Sequence, residues 1–398
     1  MPERLCPPVS KSDAHRALVL GEICGDEVPL EGSLPRDVEL LRLGLVALRT
    51  SAPRIACEDA GAPFRFLLTQ AALTKNRRIE FVGTPRLAER PHQPLIDALT
   101  RSLDVEVTPK SFAWPLTVVT KERTFSGSFR VEGGESSQFV SSLALGAARL
   151  VREEGRPVSI DVEGGLTSRG YFSMTLGWLR RFGFSVEASD RSVIVSSWTR
   201  AGTRVSIPGD WSSLTYLLPL AWKSGLEVEG CDRSAEHPDA AFASILERAG
   251  LTLTAHGLHT TVTGSLRSGL SADASDCPDS IPALVAVAMV APDPSTFERC
   301  SVLRLKESDR LGALMELVEL VGGRARLDGD TLTVAPPSAP RPAVFDARGD
   351  HRLVMAAAVL GALANVAVEI RGTNSVTKSF PNFWSEAAKA GVPRREAP

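Results

Sequence analysis

Cysteine is sparse and scattered in this 398-residue chain. Its six copies stand at positions 6, 24, 57, 231, 277 and 300, with no C-x-x-C pair among them. They read as thiols of a reducing compartment, not as a disulfide framework or zinc ligands. Aromatic residues are few, with only two tyrosines, so no basic–aromatic stripe offers a stacking platform for nucleic acid. Neither charge sign dominates: the formal net charge of −2 gives no overall attraction to nucleic acid or an anionic membrane. No apolar run reaches the ~18 residues a membrane span needs; the longest, "IPALVAVAMVAP", stops at Pro292. The opening "MPERLCPPVSKSD" lacks the apolar region of a secretory signal. His256 and His259 form an H-x-x-H, but on a turn between alternating strands, where no metal is expected. A cytoplasmic protein that binds neither metal, nucleic acid nor membrane is expected, and any anion site must come from local clusters of charge.

What is present is a repeat. Several helical patterns end in glycine and switch to period-2 alternation: "LRRFGFSVEASDRSVIVS" at Gly183, "LERAGLTLTAHGLHTTVTG" at Gly250 and "ELVGGRARLDGDTLTVAP" at Gly323, with a looser copy near Ser102. Each copy reads as helix, glycine stop, strand, polar turn, strand, with a second helix before it. Alternating helices and strands without a Rossmann glycine fingerprint point to an α/β fold of units packed side by side, helices inside. The first copy is short: "LRLGLVALRTSAPRIACEDAG" passes from helix to a single strand with no hairpin. The length suggests two lobes of about 200 residues each. The boundary falls near "VSIPGDWSS", giving an N-terminal lobe over 11–208 and a C-terminal lobe over 209–398 that residues 1–10 cross over to complete.

The helix starts carry an anomaly. Carboxylates belong at helix N-termini and cations at C-termini, by a few tenths of a kcal/mol or more each. This chain repeatedly does the reverse. "SKSDAHRALVLG" has Ser12 as an N-cap flanked by Lys11 and Arg16, and "DAGAPFRFLLTQAAL" puts Pro63 at the first helical position with Arg65 in the first turn. "SSQFVSSLALGAARL" sets Ser136, Ser137 and Gln138 ahead of an apolar stripe. "LRLKESDRLG" concentrates Lys306, Glu307, Asp309 and Arg310 before another, and "DHRLVMAAAVLGAL" opens on Asp350, His351 and Arg352. Free N–H groups with added Arg or Lys make anion sites, and several together suit a ligand with several negative groups. The competing reading is that these cations pair with nearby Asp and Glu.

These motifs, with "EDAGAPFR", "PRLAERP", "TSRGY", "PDSIP" and "TKSFPNFW" in the same order, resemble the 5-enolpyruvylshikimate-3-phosphate (EPSP) synthase family, from Lys11 to Phe383. The resemblance implies a two-lobed inside-out α/β barrel of repeated βαβαββ units, with parallel helices inside each lobe. It implies transfer of the enolpyruvyl group of phosphoenolpyruvate (PEP) to the 5-hydroxyl of shikimate 3-phosphate, with release of phosphate. By motif position it implies that Asp279 is the base for the 5-hydroxyl, that Glu307 gives a proton to C3 of PEP and takes it back, and that Lys11 contacts PEP and shares the proton work. Gly61, Arg90, Gln138, Arg310, Arg352 and Lys378 are implied PEP contacts. Ser136, Ser137 and Ser168 are implied ligands of the shikimate phosphate, and Ser12, Arg16, Gln138, Tyr171 and Lys306 hold its ring and hydroxyls. No cofactor and a monomeric state are expected, and glyphosate should compete with PEP.

The chain departs from the family pattern at Asp59 and Ala62, where many members carry Asn and Thr, at Phe66, where a proline is common, and at Val302, often a polar position. Three other readings stay open, of which a nucleic-acid-binding repeat protein is disfavoured by the near-neutral charge and the two tyrosines. A sister enzyme transfers enolpyruvate to UDP-N-acetylglucosamine, typically with a reactive cysteine over PEP, yet "GTPRLAERPHQP" contains none. A non-catalytic paralogue would bind phosphorylated metabolites without turnover, but both Asp279 and Glu307 are retained.

Overall fold

The computed structural model describes residues 3–110, 112–166, 168–202 and 205–397; Thr167 of the "TSRGY" motif lies outside them. The chain divides into two compact units, one of residues 11–30 and 37–207, the other of residues 3–10, 31–36 and 208–397. The segment 31–36 groups with the second unit and not with its chain neighbours, a division absent from the sequence reading.

One sheet design recurs four times. In the first unit, strands Arg54–Glu58, Arg77–Gly83, Leu116–Phe125 and Leu103–Thr108 form one sheet in that spatial order. Strands Ser128–Glu132, Val158–Glu163, Ser192–Trp198 and Phe184–Ala188 form the next. In the second unit the same order is built from Arg4–Leu5, Glu227–Glu229, His259–Gly264 and Leu251–His256, and from Ser271–Asp273, Ser295–Glu298, Thr331–Ala335 and Arg324–Asp328. Each sheet has a parallel pair first, then an antiparallel hairpin added to one edge. A fifth, two-stranded sheet pairs Ala343–Asp346 with Val368–Arg371 in parallel. Buried apolar residues face each other across the parallel pairs: Ile55 with Phe81, Phe129 with Ile160, Leu5 with Val228, Phe345 with Ile370. Alternate residues of these strands are exposed, as expected for sheets covered on one face.

The helices supply the other side of each core. Ile281–Ala288 is buried along its whole length, and His351–Leu363 over its first ten residues, so both lie inside the second unit and not on its surface. They pack on each other and on Trp211–Ser224. In the first unit Gly61–Ala72 and Ser137–Glu154 are buried on nearly every side and pack together. Gly183 and Gly250 follow helices with φ of +86° and +113°, a backbone that glycine adopts without a Cβ clash, and each begins a hairpin. In the third copy the left-handed residue is Gly322, one position before the Gly323 expected from the pattern.

Candidate active site

In the second unit, Lys306–Arg310 is the short passage between a 3-10 helix, Cys300–Leu305, and the helix Arg310–Leu320. Asp309 caps that helix, its carboxylate accepting the Gly312 N–H at 3.1 Å. Arg310 then occupies the first helical position with no exposed surface. Its guanidinium spreads over three carboxylates. Nε donates to Asp350 Oδ2 at 2.8 Å, Nη1 to Asp279 Oδ1 at 2.7 Å and Nη2 to Glu307 Oε2 at 2.5 Å. Asp350 caps the helix His351–Leu363 by accepting the Arg352 N–H at 2.9 Å, and Ser308 Oγ donates to its other oxygen at 3.0 Å. Arg352 Nη2 donates to Asp279 Oδ2 at 2.8 Å, so Asp279 lies between two guanidinium groups.

These charges set one another's titration. Burial by itself would raise the pKa of Asp279, but Arg352, Arg310 and Lys306 outweigh it and hold the carboxyl far below the usual range. Burial disfavours the Arg310 cation, but Asp350, Glu307 and Asp279 outweigh it and push its pKa up. Asp279 retains about a fifth of its side-chain exposure, and Glu307 somewhat less, so both carboxylates remain within reach of a ligand. Lys378 ends the 3-10 helix Thr373–Lys378 and is buried.

In the first unit, Lys11 begins the helix Lys11–Cys24, and its Nζ lies 3.1 Å from Asp37 Oδ2. Ser12 is the second residue of that helix and not its cap; its carbonyl accepts from Arg16 Nη1 at 2.7 Å. Arg16 is buried and ties this helix to Arg169–Arg181, donating to Thr175 Oγ1 at 2.8 Å and to the Tyr171 carbonyl at 2.7 Å. Burial lowers its pKa to about 10. Pro63 is the third residue of Gly61–Ala72, not the first. Gly61 opens that helix, and a Cβ there would lie 2.5 Å from Arg90 Nη1, so only glycine lets this guanidinium rest against the helix start. Ser136 caps Ser137–Glu154, its Oγ accepting the Gln138 N–H at 3.3 Å, and Ser137 is buried in the first turn. Ser168 precedes Arg169–Arg181 with φ of +50°, a left-handed conformation that costs a non-glycine residue about 1–3 kcal/mol.

The sequence motifs therefore converge within each unit. Asp279, Glu307, Arg310 and Arg352 share one hydrogen-bonded cluster, and Gly61 meets Arg90. Two residues to which the sequence motifs assign no role organise these groups. Arg65 is buried and donates to Gln138 Oε1 at 2.5 Å and to the Pro91 carbonyl at 2.8 Å, linking Gln138 to the segment that carries Arg90. Its place near a helix start, a cation where the dipole disfavours one, is the signal the sequence offers. Asp350 stood in the "DHR" motif but was given no role, and it holds Arg310, Ser308 and the Arg352 backbone together. The cations at helix starts also have partners in the chain. Lys11 has Asp37, while Arg310 and Arg352 have Asp279, Glu307 and Asp350. The pairing reading holds for these three, and a ligand anion must compete with those carboxylates.

The family model described as EPSP synthase (3-phosphoshikimate 1-carboxyvinyltransferase) matches residues 44–386. The chain is 33% identical to the 3-phosphoshikimate 1-carboxyvinyltransferase of Methanopyrus kandleri, covering 98% of this chain and 96% of the relative. It is 34% identical to the protein of that name from Methanoculleus marisnigri, covering 97% and 96%. Among solved structures it is similar to an EPSP synthase from Acinetobacter baumannii, with a TM-score of 0.74 at 19% identity over 99% of this chain and 98% of that one. It is also similar to the enolpyruvyl transferase NikO from Streptomyces tendae, with a TM-score of 0.66 at 14% identity over 98% and 95%. At those identities the structural likeness speaks for the α/β fold alone.

Proposed function

This chain belongs to the EPSP synthase family, the 3-phosphoshikimate 1-carboxyvinyltransferases, and on that premise we propose how its residues carry the reaction. The enzyme transfers the enolpyruvyl group of PEP to the 5-hydroxyl of shikimate 3-phosphate and releases phosphate. The 5-hydroxyl oxygen bonds to C2 of PEP as a proton reaches C3. The tetrahedral intermediate then loses a proton from C3 and expels phosphate, which restores the double bond.

In this proposal Asp279 takes the hydroxyl proton, and Glu307 delivers the proton to C3 and removes one afterwards. Lys11 contacts PEP and shares the proton work. The observation that carries it is the position of Arg310, bonded at once to Asp279 and Glu307 at 2.7 and 2.5 Å. One cation thus brings together two carboxylates with opposite tasks, and a substrate anion that competes for it acts on both. While Arg310 and Arg352 clamp Asp279, its depressed pKa makes it a poor base. PEP brings a carboxylate and a phosphate for which guanidinium is the better-matched partner. Drawing the arginines to PEP relieves Asp279 of their charge and raises its basicity when the substrate is present. Arg90 against the Gly61 helix start, Gln138 and Lys378 complete the PEP contacts. Ser136, Ser137 and Ser168 hold the phosphate of shikimate 3-phosphate, while Ser12, Arg16, Gln138, Tyr171 and Lys306 hold its ring.

The two units are proposed as the lobes of an inside-out α/β barrel, a reading supported by the recurring sheet design and the buried helices. A cytoplasmic monomer that needs no cofactor fits this chemistry. The test is phosphate release with shikimate 3-phosphate plus PEP, and with each alone. Release only with both supports the proposal; none with both present, from a folded sample, would make the chain a binding paralogue.

A further inference from the structure

Asp239 is a buried carboxylate that the mechanism does not use. It sits in a 3-10 turn, Pro238–Ala240, with no exposed surface. Its Oδ2 accepts from Ser212 Oγ at 2.5 Å and its Oδ1 from Ser280 Oγ at 2.7 Å. Ser212 is in the first turn of Trp211–Ser224, and Ser280 is the residue from which Ile281–Ala288 begins. Both serines are buried. Hydroxyl donors and the positive ends of two helices offset the desolvation of the carboxylate. His237 lies nearby, its Nδ1 accepting the Asp239 N–H at 3.2 Å.

Ser280 is the chain neighbour of Asp279. The side chain of Asp279 is held from one direction by Arg310 and Arg352, at 2.7 and 2.8 Å. The next residue is held by Asp239. The backbone at 279–280 is therefore anchored on both sides. We infer that Asp239 is a positioning residue: by gripping the Ser280 hydroxyl it fixes where Asp279 stands relative to the two arginines and the reacting hydroxyl. Displacement of a proton-transfer group by about 1 Å can cost on the order of a hundredfold in rate. Ser212 binds the other oxygen of Asp239 and is not a chain neighbour of Asp279, so it provides the contrast. The inference rests on the reading of Asp279 as the base.

The experiment compares Asp239→Asn, Ser280→Ala, Ser212→Ala and Asp279→Asn for kcat, for KM of both substrates and for Tm. Asp239→Asn and Ser280→Ala are expected to lower kcat by about tenfold or more, with both KM values within about threefold of wild type. Ser212→Ala should lower Tm about as much as Ser280→Ala yet keep kcat within about threefold. If Asp239→Asn fails to fold, Ser280→Ala decides the matter. A folded Ser280→Ala enzyme with kcat within about twofold of wild type overturns the inference. So does an equal kcat loss in the two serine variants, which marks the cluster as merely structural. An inactive Asp279→Asn beside a fully active Ser280→Ala refutes the positioning role alone. An active Asp279→Asn removes both the base and the residue said to position it.

Discussion

Replacing Asp279 by Asn should abolish turnover and, at the same time, tighten the binding of PEP. Asp279 accepts one bond from Arg310 and one from Arg352, at 2.7 and 2.8 Å. A PEP molecule that recruits these guanidinium groups must first break both. A hydrogen bond to a charged group contributes about 1.5–3 kcal/mol, and a neutral acceptor gives roughly half of what an ionised one does. An asparagine can keep one carbonyl acceptor but turns an amide donor toward the second arginine. The barrier to recruitment thus falls by about one charged bond, or 1.5–3 kcal/mol. That corresponds to PEP binding about ten- to a hundredfold more tightly. Calorimetry with PEP alone measures it for both proteins, because without shikimate 3-phosphate neither turns over. If the folded variant binds PEP with an unchanged or weaker Kd, the arginines are not held back by Asp279, and the account of its switch in basicity is wrong.

Other outcomes follow from the same geometry. Glu307→Gln should leave both substrates bound but slow turnover by at least about a hundredfold, measured as single-turnover phosphate release; a rate within about threefold of wild type removes Glu307 from the mechanism. Gly61→Ala places a Cβ 2.5 Å from Arg90 Nη1. It should raise the KM for PEP about tenfold or more while leaving Tm nearly unchanged, whereas an unchanged KM would take Arg90 out of the PEP contacts. The helix Gly61–Ala72 starts from Ala60 with no side-chain cap, and Phe66 in its second turn packs edge-on against His15. Reduced glyphosate sensitivity is expected, and Ala62→Thr with Phe66→Pro should lower the ratio of inhibitor constant to PEP KM; an unchanged ratio shows that this helix start does not set sensitivity. Burial pushes the Cys57 and Cys277 thiols up to about 12 and Cys24, Cys231 and Cys300 up to about 11, so alkylation at pH 7 should leave turnover intact. Rapid inactivation that PEP prevents would instead point to a thiol over the substrate.

The local grammar of the chain was legible before folding. Helices that stop at Gly183 and Gly250 and turn into hairpins depend on neighbours a few residues apart, and periodicity reports those directly. Ser136 and Asp350 each stand just before an apolar stripe and cap their helices, a role that the sequence reading gave only to Ser12. Ser12 and Pro63 each lie two positions further into the helix than the sequence suggests, because a helix extends or frays according to what its first turn touches. The shift from Gly323 to Gly322 is of the same kind.

The sequence by itself determined the repeat, the strand and helix order and the family, since each rests on residue types at short spacing or in a fixed order. It also determined that cations stand at helix starts where a dipole disfavours them. It did not determine what they meet. Arg310 reaches Asp279 and Asp350, 31 and 40 positions away, and Arg352 reaches Asp279 across 73. Arg65 finds Gln138 at the same remove, and Asp239 joins two serines 27 and 41 positions off. Only the packing of buried helices around a shared core brings such groups to hydrogen-bonding distance. There, away from water, a charge must be paired or hydrogen-bonded to remain charged. The tertiary structure therefore decided which carboxylate each arginine holds.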